Sequence, residues 1–166
     1  MKRLWLIGLF AAIAAVWLYP VCFHSFLAWQ YGGEFLGDDG VLFQSKENSC
    51  GPASLAMIYC AYGIDVSEED IEHSVEMTSD GTTMLELNEE ARRDGLCASG
   101  WRLTLAELER CQFPVIVFVR GSHFVVADSL RGKNVYLRDP AIGRLKVPEK
   151  NFTKIWNGET LVFCRK

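Results

Sequence analysis

The stretch Ser49-Cys50-Gly51-Pro52-Ala53-Ser54-Leu55-Ala56-Met57-Ile58-Tyr59 places a cysteine at the mouth of an apolar helix. Pro52 fits the opening turn, where a missing N–H is no loss, and Gly63 fits the stop. The free peptide N–H groups and positive dipole end of such a helix favour a thiolate. With a histidinium partner, that placement can bring a cysteine pKa from about 8.5 into the range of roughly 3.5–7.5. Gly51 would let a substrate backbone approach closely. A cysteine alone at a helix start is more often a buried structural residue, so its partners decide the reading.

Helix signals continue downstream. Ser67 with Asp70 opens a helix to about Met77, and Thr83 with Glu86 opens another that Gly95 closes. Thr104 with Glu107 opens a short one to about Cys111. Then the period changes. Pro114-Val115-Ile116-Val117-Phe118-Val119 is a continuous apolar run suited to a buried strand. His123–Ala127 and Asn134–Arg138 flank Arg131-Gly132-Lys133, a hairpin signal, and Leu145–Val147 and Leu161–Cys164 supply further strands. Helices first and antiparallel strands afterwards make residues 34–166 an α+β domain with chain enough for one core.

The hairpin supplies the partners. Paired about Arg131, it sets His123 opposite Asp139, Val125 opposite Leu137 and Ala127 opposite Val135, a polar pair above an apolar floor. A slip of one residue would break this sorting. Asp139 so placed fixes the His123 tautomer and supports its imidazolium. Gln44 lies in an extended Val41-Leu42-Phe43-Gln44 segment shortly before Cys50, where its amide can join the Cys50 N–H in holding an oxyanion. His24 lies beside the apolar N-terminus, and His73 falls within the acidic Glu68–Glu76 run, as a solvated residue would.

Gln44, Cys50-Gly51 and its helix, His123-Phe124-Val125-Val126 and Asp139-Pro140-Ala141-Ile142-Gly143 occur in an order and spacing that resembles the papain-like bacteriocin-processing cysteine peptidases. Those domains remove leader peptides after a double glycine and are often fused to peptide exporters. The resemblance spans residues 40–145 and implies a papain-like cysteine peptidase fold, with N-terminal helices packed on an antiparallel β-sheet. It further implies Cys50 as nucleophile, His123 as general base and acid, Asp139 as orienter and Gln44 as oxyanion donor. The substrate so implied is a peptide or leader, with an exporter as partner. No transporter or nucleotide-binding domain follows, so a stand-alone form is expected.

Leu4 to Phe23 runs for twenty residues without a charge. At about 1.5 Å per helical residue that spans about 30 Å, the hydrocarbon thickness of a bilayer. Lys2 and Arg3 precede it and Glu34, Asp38 and Asp39 follow, which predicts a single-pass membrane anchor with a cytoplasmic N-terminus and an extracytoplasmic, periplasmic domain. A signal peptide cleaved near Ala12-Ile13-Ala14 would have a short apolar region and is the lesser alternative. The division expected is residues 1–33 as anchor or signal segment and 34–166 as peptidase domain.

The whole chain of 166 residues carries a net charge of −4; residues 34–166 hold 15 basic against 21 acidic residues, a net −6. That balance excludes a nucleic-acid binder. No HExxH, CxxC or calcium-loop pattern is present, and no GxGxxG or P-loop, so no metal and no cofactor is expected. Cys60, Cys97, Cys111 and Cys164 allow up to two disulfides in an oxidising compartment, in three alternative pairings. Two other functions compete with peptide cleavage. One is a catalytically silent, membrane-tethered peptide-binding accessory of a secretion system, which has no need of an activated thiol. The other is acyl or amide transfer on the same thiol chemistry.

Overall fold

The structure is a computed structural model that describes residues 23–75 and 77–165. The expected anchor at residues 4–23 lies outside them except for Phe23; among the described residues no helix is long and apolar enough to cross a membrane. The element order is a helix over residues 23–30 (α1), β1 (Glu34–Gly37), α2 (Cys50–Tyr62), α3 (Glu68–Ser74), α4 (Met84–Arg93), β2 (Leu96–Arg102), α5 (Leu105–Leu108), β3 (Val115–Val119), β4 (His123–Arg131), β5 (Asn134–Asp139), β6 (Gly143–Pro148), α6 (Glu149–Ile155) and β7 (Trp156–Arg165).

Each expected cap forms. Ser67 with Asp70, Thr83 with Glu86 and Thr104 with Glu107 all close reciprocal capping boxes, and Gly63 ends α2 in the left-handed region at φ 73°. The third helix is shorter than expected: Val75 turns extended and buries its side chain instead of continuing towards Met77. The strands assemble as a seven-stranded antiparallel sheet in the order β1-β6-β5-β4-β3-β7-β2. Alternation along β3 divides the core. Ile116 joins the cluster under α2, α3 and α4, whereas Val115, Val117 and Val119 join a second cluster with Phe152 of α6 on the other face.

The hairpin register differs from expectation. The turn is the two-residue Gly132-Lys133, with φ 58° and 59°, so Arg131 pairs with Asn134 and Leu130 with Val135. Continued unbroken, that register would put Asp139 on the sheet face opposite His123. A bulge at Asp128, between Ala127 and Ser129, shifts the pairing so that Ala127 faces Leu137 and Val126 faces Arg138. His123 and Asp139 are therefore not directly opposed, as the sequence predicts, but they share a face. Arg138 Nε donates to both Asp128 carboxylate oxygens, at 2.9 and 3.0 Å, and holds the bulge.

Residues 23–33, grouped with the anchor by sequence, pack on the domain. Ala28 and Tyr31 are buried in the cluster containing Val125 and Leu137. His24 Nδ1 lies 2.6 Å from the Ile142 carbonyl oxygen, and Asn151 Nδ2 donates to the Gly32 carbonyl at 2.8 Å. The packed unit thus begins upstream of residue 34.

Cys50, Cys60, Cys97, Cys111 and Cys164 are free thiols. Cys97 and Cys164 are directly opposed across β2 and β7, which puts both side chains on one face. The Cys97 thiol raises that of Cys164 through their contact. In an oxidised sample, mass spectrometry of unreduced peptides should find Cys97 joined to Cys164. A link from either residue to Cys60 or Cys111 would contradict this register.

Candidate active site

The start of α2 is gripped by β4. Cys50 and Ser54, four residues apart, share a helix face. The buried Ser54 Oγ donates to the Phe124 carbonyl at 3.2 Å, and the Phe124 backbone helps to hold the Cys50 thiol down. One strand residue thus ties the start of α2 beside its neighbour His123. Gly51 serves packing rather than substrate approach: a Cβ there would lie 2.3 Å from Thr82 Cγ2 and 3.4 Å from the Phe124 ring. The N–H groups of Cys50 and Gly51 open the helix without intrahelical acceptors, and Pro52 has none to satisfy.

His123 Nε2 donates to Asp139 Oδ1 at 2.9 Å, and the imidazole and the Cys50 thiol act on one another's ionisation. The Ala141 N–H donates to the same Oδ1 at 2.8 Å, so a tight turn after β5 orients the carboxylate. Asp139 is fully buried and the His123 side chain is 18% exposed. Burial works against the histidine charge, but the hydrogen bonds to Asp139 and Cys50 and their negative charge raise His123 from the ordinary 6.5 to about 9. Burial also pushes the Cys50 thiol up. The His123 hydrogen bond, the Phe124 N–H, the histidine charge and the Gly51 N–H outweigh it and hold the thiol below its ordinary range. The two shifts, the histidine up and the thiol down, both favour a thiolate–imidazolium pair.

Gln44 is placed differently. Its backbone N–H donates to the Pro140 carbonyl at 2.9 Å, tying this loop to the turn that follows Asp139. Its side-chain Nε2 donates to the carbonyls of Lys46 and Glu47 at 2.7 and 3.1 Å, and Oε1 is buried without a partner. Both amide hydrogens are thus engaged within the loop that leads to Cys50, and an oxyanion role requires one of them to be released.

A cavity of about 440 Å³ opens beside Cys50, lined among others by Asn48, Gly81, Thr82, Phe118 and Ser122. Among the described residues no cluster of metal-ligating side chains occurs. Two residues near the site escape sequence reasoning. Ser54 was legible only as a polar residue one turn after the cysteine in an otherwise apolar helix. Tyr31, whose phenol faces Asp139, has no local signal at all.

Residues 39–166 match the Peptidase C39 family. The chain is 34% identical over 132 residues to an uncharacterised protein of Methanothermobacter marburgensis, covering 80% of this chain and 93% of that one. It is 35% identical over 126 residues to the probable functional amyloid protease FapD of Pseudomonas aeruginosa, covering 69% of this chain and 56% of FapD. Among solved structures, it is similar to a double glycine motif protease from an AMS/PCAT transporter, crystallised with the leader peptide. The TM-score is 0.73 at 34% identity, covering 76% of this chain and 91% of that one. The matched region takes in Gln44, Cys50, His123 and Asp139, and the chain belongs to the Peptidase C39 family.

Proposed function

We propose that this protein is a cysteine endopeptidase that processes a peptide or leader substrate linked to export, with a double glycine as the cut signal. The observation that carries this reading is the hydrogen-bonded His123–Asp139 pair gathered with Cys50, whose thiol His123 holds down, beside an open cavity. The Cys50 thiolate attacks the scissile carbonyl and forms a tetrahedral oxyanion, which the Cys50 N–H stabilises. Gln44 supplies a second donor once one amide hydrogen leaves its loop carbonyl. His123 then protonates the leaving amine as the C–N bond breaks. Water attacks the resulting thioester, giving its proton to His123, and the thiolate departs with the acid product formed.

The leader-bound double glycine motif protease and the probable protease FapD support the substrate class. The order of charges about residues 4–23 supports a domain tethered outside the cytoplasmic membrane. Adding protease to the outside of intact spheroplasts should then degrade the domain, and protection would place it in the cytoplasm.

Incubating the full chain and its Cys50→Ala variant with a library of double-glycine leader peptides, read by mass spectrometry, tests the activity. Cleavage after the double glycine should be present in the first and absent in the second. A silent wild-type protein whose Cys50 titrates as an ordinary thiol would instead be a peptide-binding module. Because His123 is raised to about 9, its proton remains available to the leaving amine until the pH climbs through that value, and kcat/KM should fall there. The same shift contributes native stability that is full below the unfolded value of 6.5 and is lost as the pH rises through about 9. Gln44→Ala should lower kcat on the order of 10²–10³-fold if the amide holds the oxyanion; an unchanged kcat would remove Gln44 from the mechanism.

A further inference from the structure

We propose that Tyr31, upstream of the region that matches the family, is a positioning residue: its hydroxyl backs the unpartnered oxygen of Asp139 and keeps that carboxylate in the plane that holds His123. The proposal rests on the peptidase reading of the site. Asp139 is fully buried, and its Oδ1 takes both donors the site offers, His123 Nε2 and the Ala141 N–H. Oδ2 is buried with no partner in hydrogen-bonding geometry. A buried carboxylate oxygen left in that state is costly, and the carboxylate is free to swing towards any donor that satisfies it.

Tyr31 is 5% exposed and packs with Val125, Leu137 and Ile142, the residues around Asp139. Asp139 acts on its phenol. No ordinary hydrogen bond joins the two in this structure, since Oδ2 stands unpartnered. Burial first, then Asp139, and to a lesser degree Cys50, raise the phenol beyond its ordinary range, while Arg120 opposes them. The hydroxyl therefore stays protonated, a donor throughout the working range of the site.

Arg120 fixes the ring. Its guanidinium lies 3.9 Å above the Tyr31 ring centroid, and it donates to the Gln30 carbonyl at 3.0 Å. Arg120 itself adopts φ 55°, a left-handed conformation for a residue with a side chain, in the turn that leads into His123. Such strain persists where surrounding contacts over-determine it. One residue thus starts the strand that carries His123 and clamps the tyrosine that backs Asp139. The end of the N-terminal helix and the triad form one mechanical unit, so a displacement of α1 reaches the catalytic carboxylate.

Tyr31→Phe in the full chain removes the hydroxyl and retains the ring under Arg120. The expected result is a fall in kcat on the order of 10- to 100-fold with little change in KM, as for a small misplacement of catalytic groups. The His123 imidazole resonance, followed by NMR, should titrate lower than its starting value of about 9, because a less firmly held Asp139 supports the imidazolium less. Asp139 and Cys50 are the charged groups acting on that ring, and both remain in the variant. An unmoved or raised His123 midpoint overturns the proposal, whatever happens to kcat or to thermal stability. The titration needs no turnover, so a protein that cleaves nothing still reports the contact, and failure of the peptidase reading is seen separately.

Discussion

The 2.9 Å hydrogen bond between His123 Nε2 and Asp139 Oδ1 is the interaction on which the site depends, because burial by itself would strip the imidazole of its proton. With the carboxylate in place the ring holds a positive charge, and His123 together with the Phe124 and Gly51 backbone outweighs the burial that would otherwise push the Cys50 thiol up. A shift of one residue anywhere along β4 or β5 would break the series, and the backbone contains specific devices against such a shift.

Asp128 is the first of these. The tight Gly132-Lys133 turn alone gives a register in which Asp139 faces away from His123, and the one-residue bulge corrects it. Phe124 is the second, holding α2 through its carbonyl to Ser54. Cys50 arrives from the helical side of the sheet, whereas His123 and Asp139 share the face of Val125 and Leu137. They meet at the start of β4. Tyr31 and Arg120 extend this arrangement to the N-terminal helix, which joins the segment preceding the domain to its chemistry.

The sequence makes the meeting of Cys50, His123 and Asp139 legible because each stands at an element boundary: a cysteine before Gly-Pro at a helix start, and a histidine and an aspartate at hairpin ends. The capping boxes are legible for a similar reason, being short and local. The bulge at Asp128 was not, since a symmetric hairpin sorts the same residues onto the same face and looks complete without it. Strand β2, Leu-Cys-Ala-Ser-Gly-Trp-Arg, is poor in β-branched residues and lies at the sheet edge, so it is held by its neighbour β7 rather than by propensity. The seven residues of α6 are too few for a helical period to emerge. Tyr31 was hidden for a different reason: its significance comes from a residue more than a hundred positions away.

The central claim is that His123 makes Cys50 a thiolate in the resting protein. The measurement that tests it most directly is the rate of Cys50 alkylation against pH, read peptide by peptide, in the wild-type chain and in His123→Ala. In the wild type the reactive form should appear below the ordinary thiol range. In the variant it should return to that range or above it, because burial remains after the positive charge has gone. Two coincident profiles, both at an ordinary thiol value, would contradict the account.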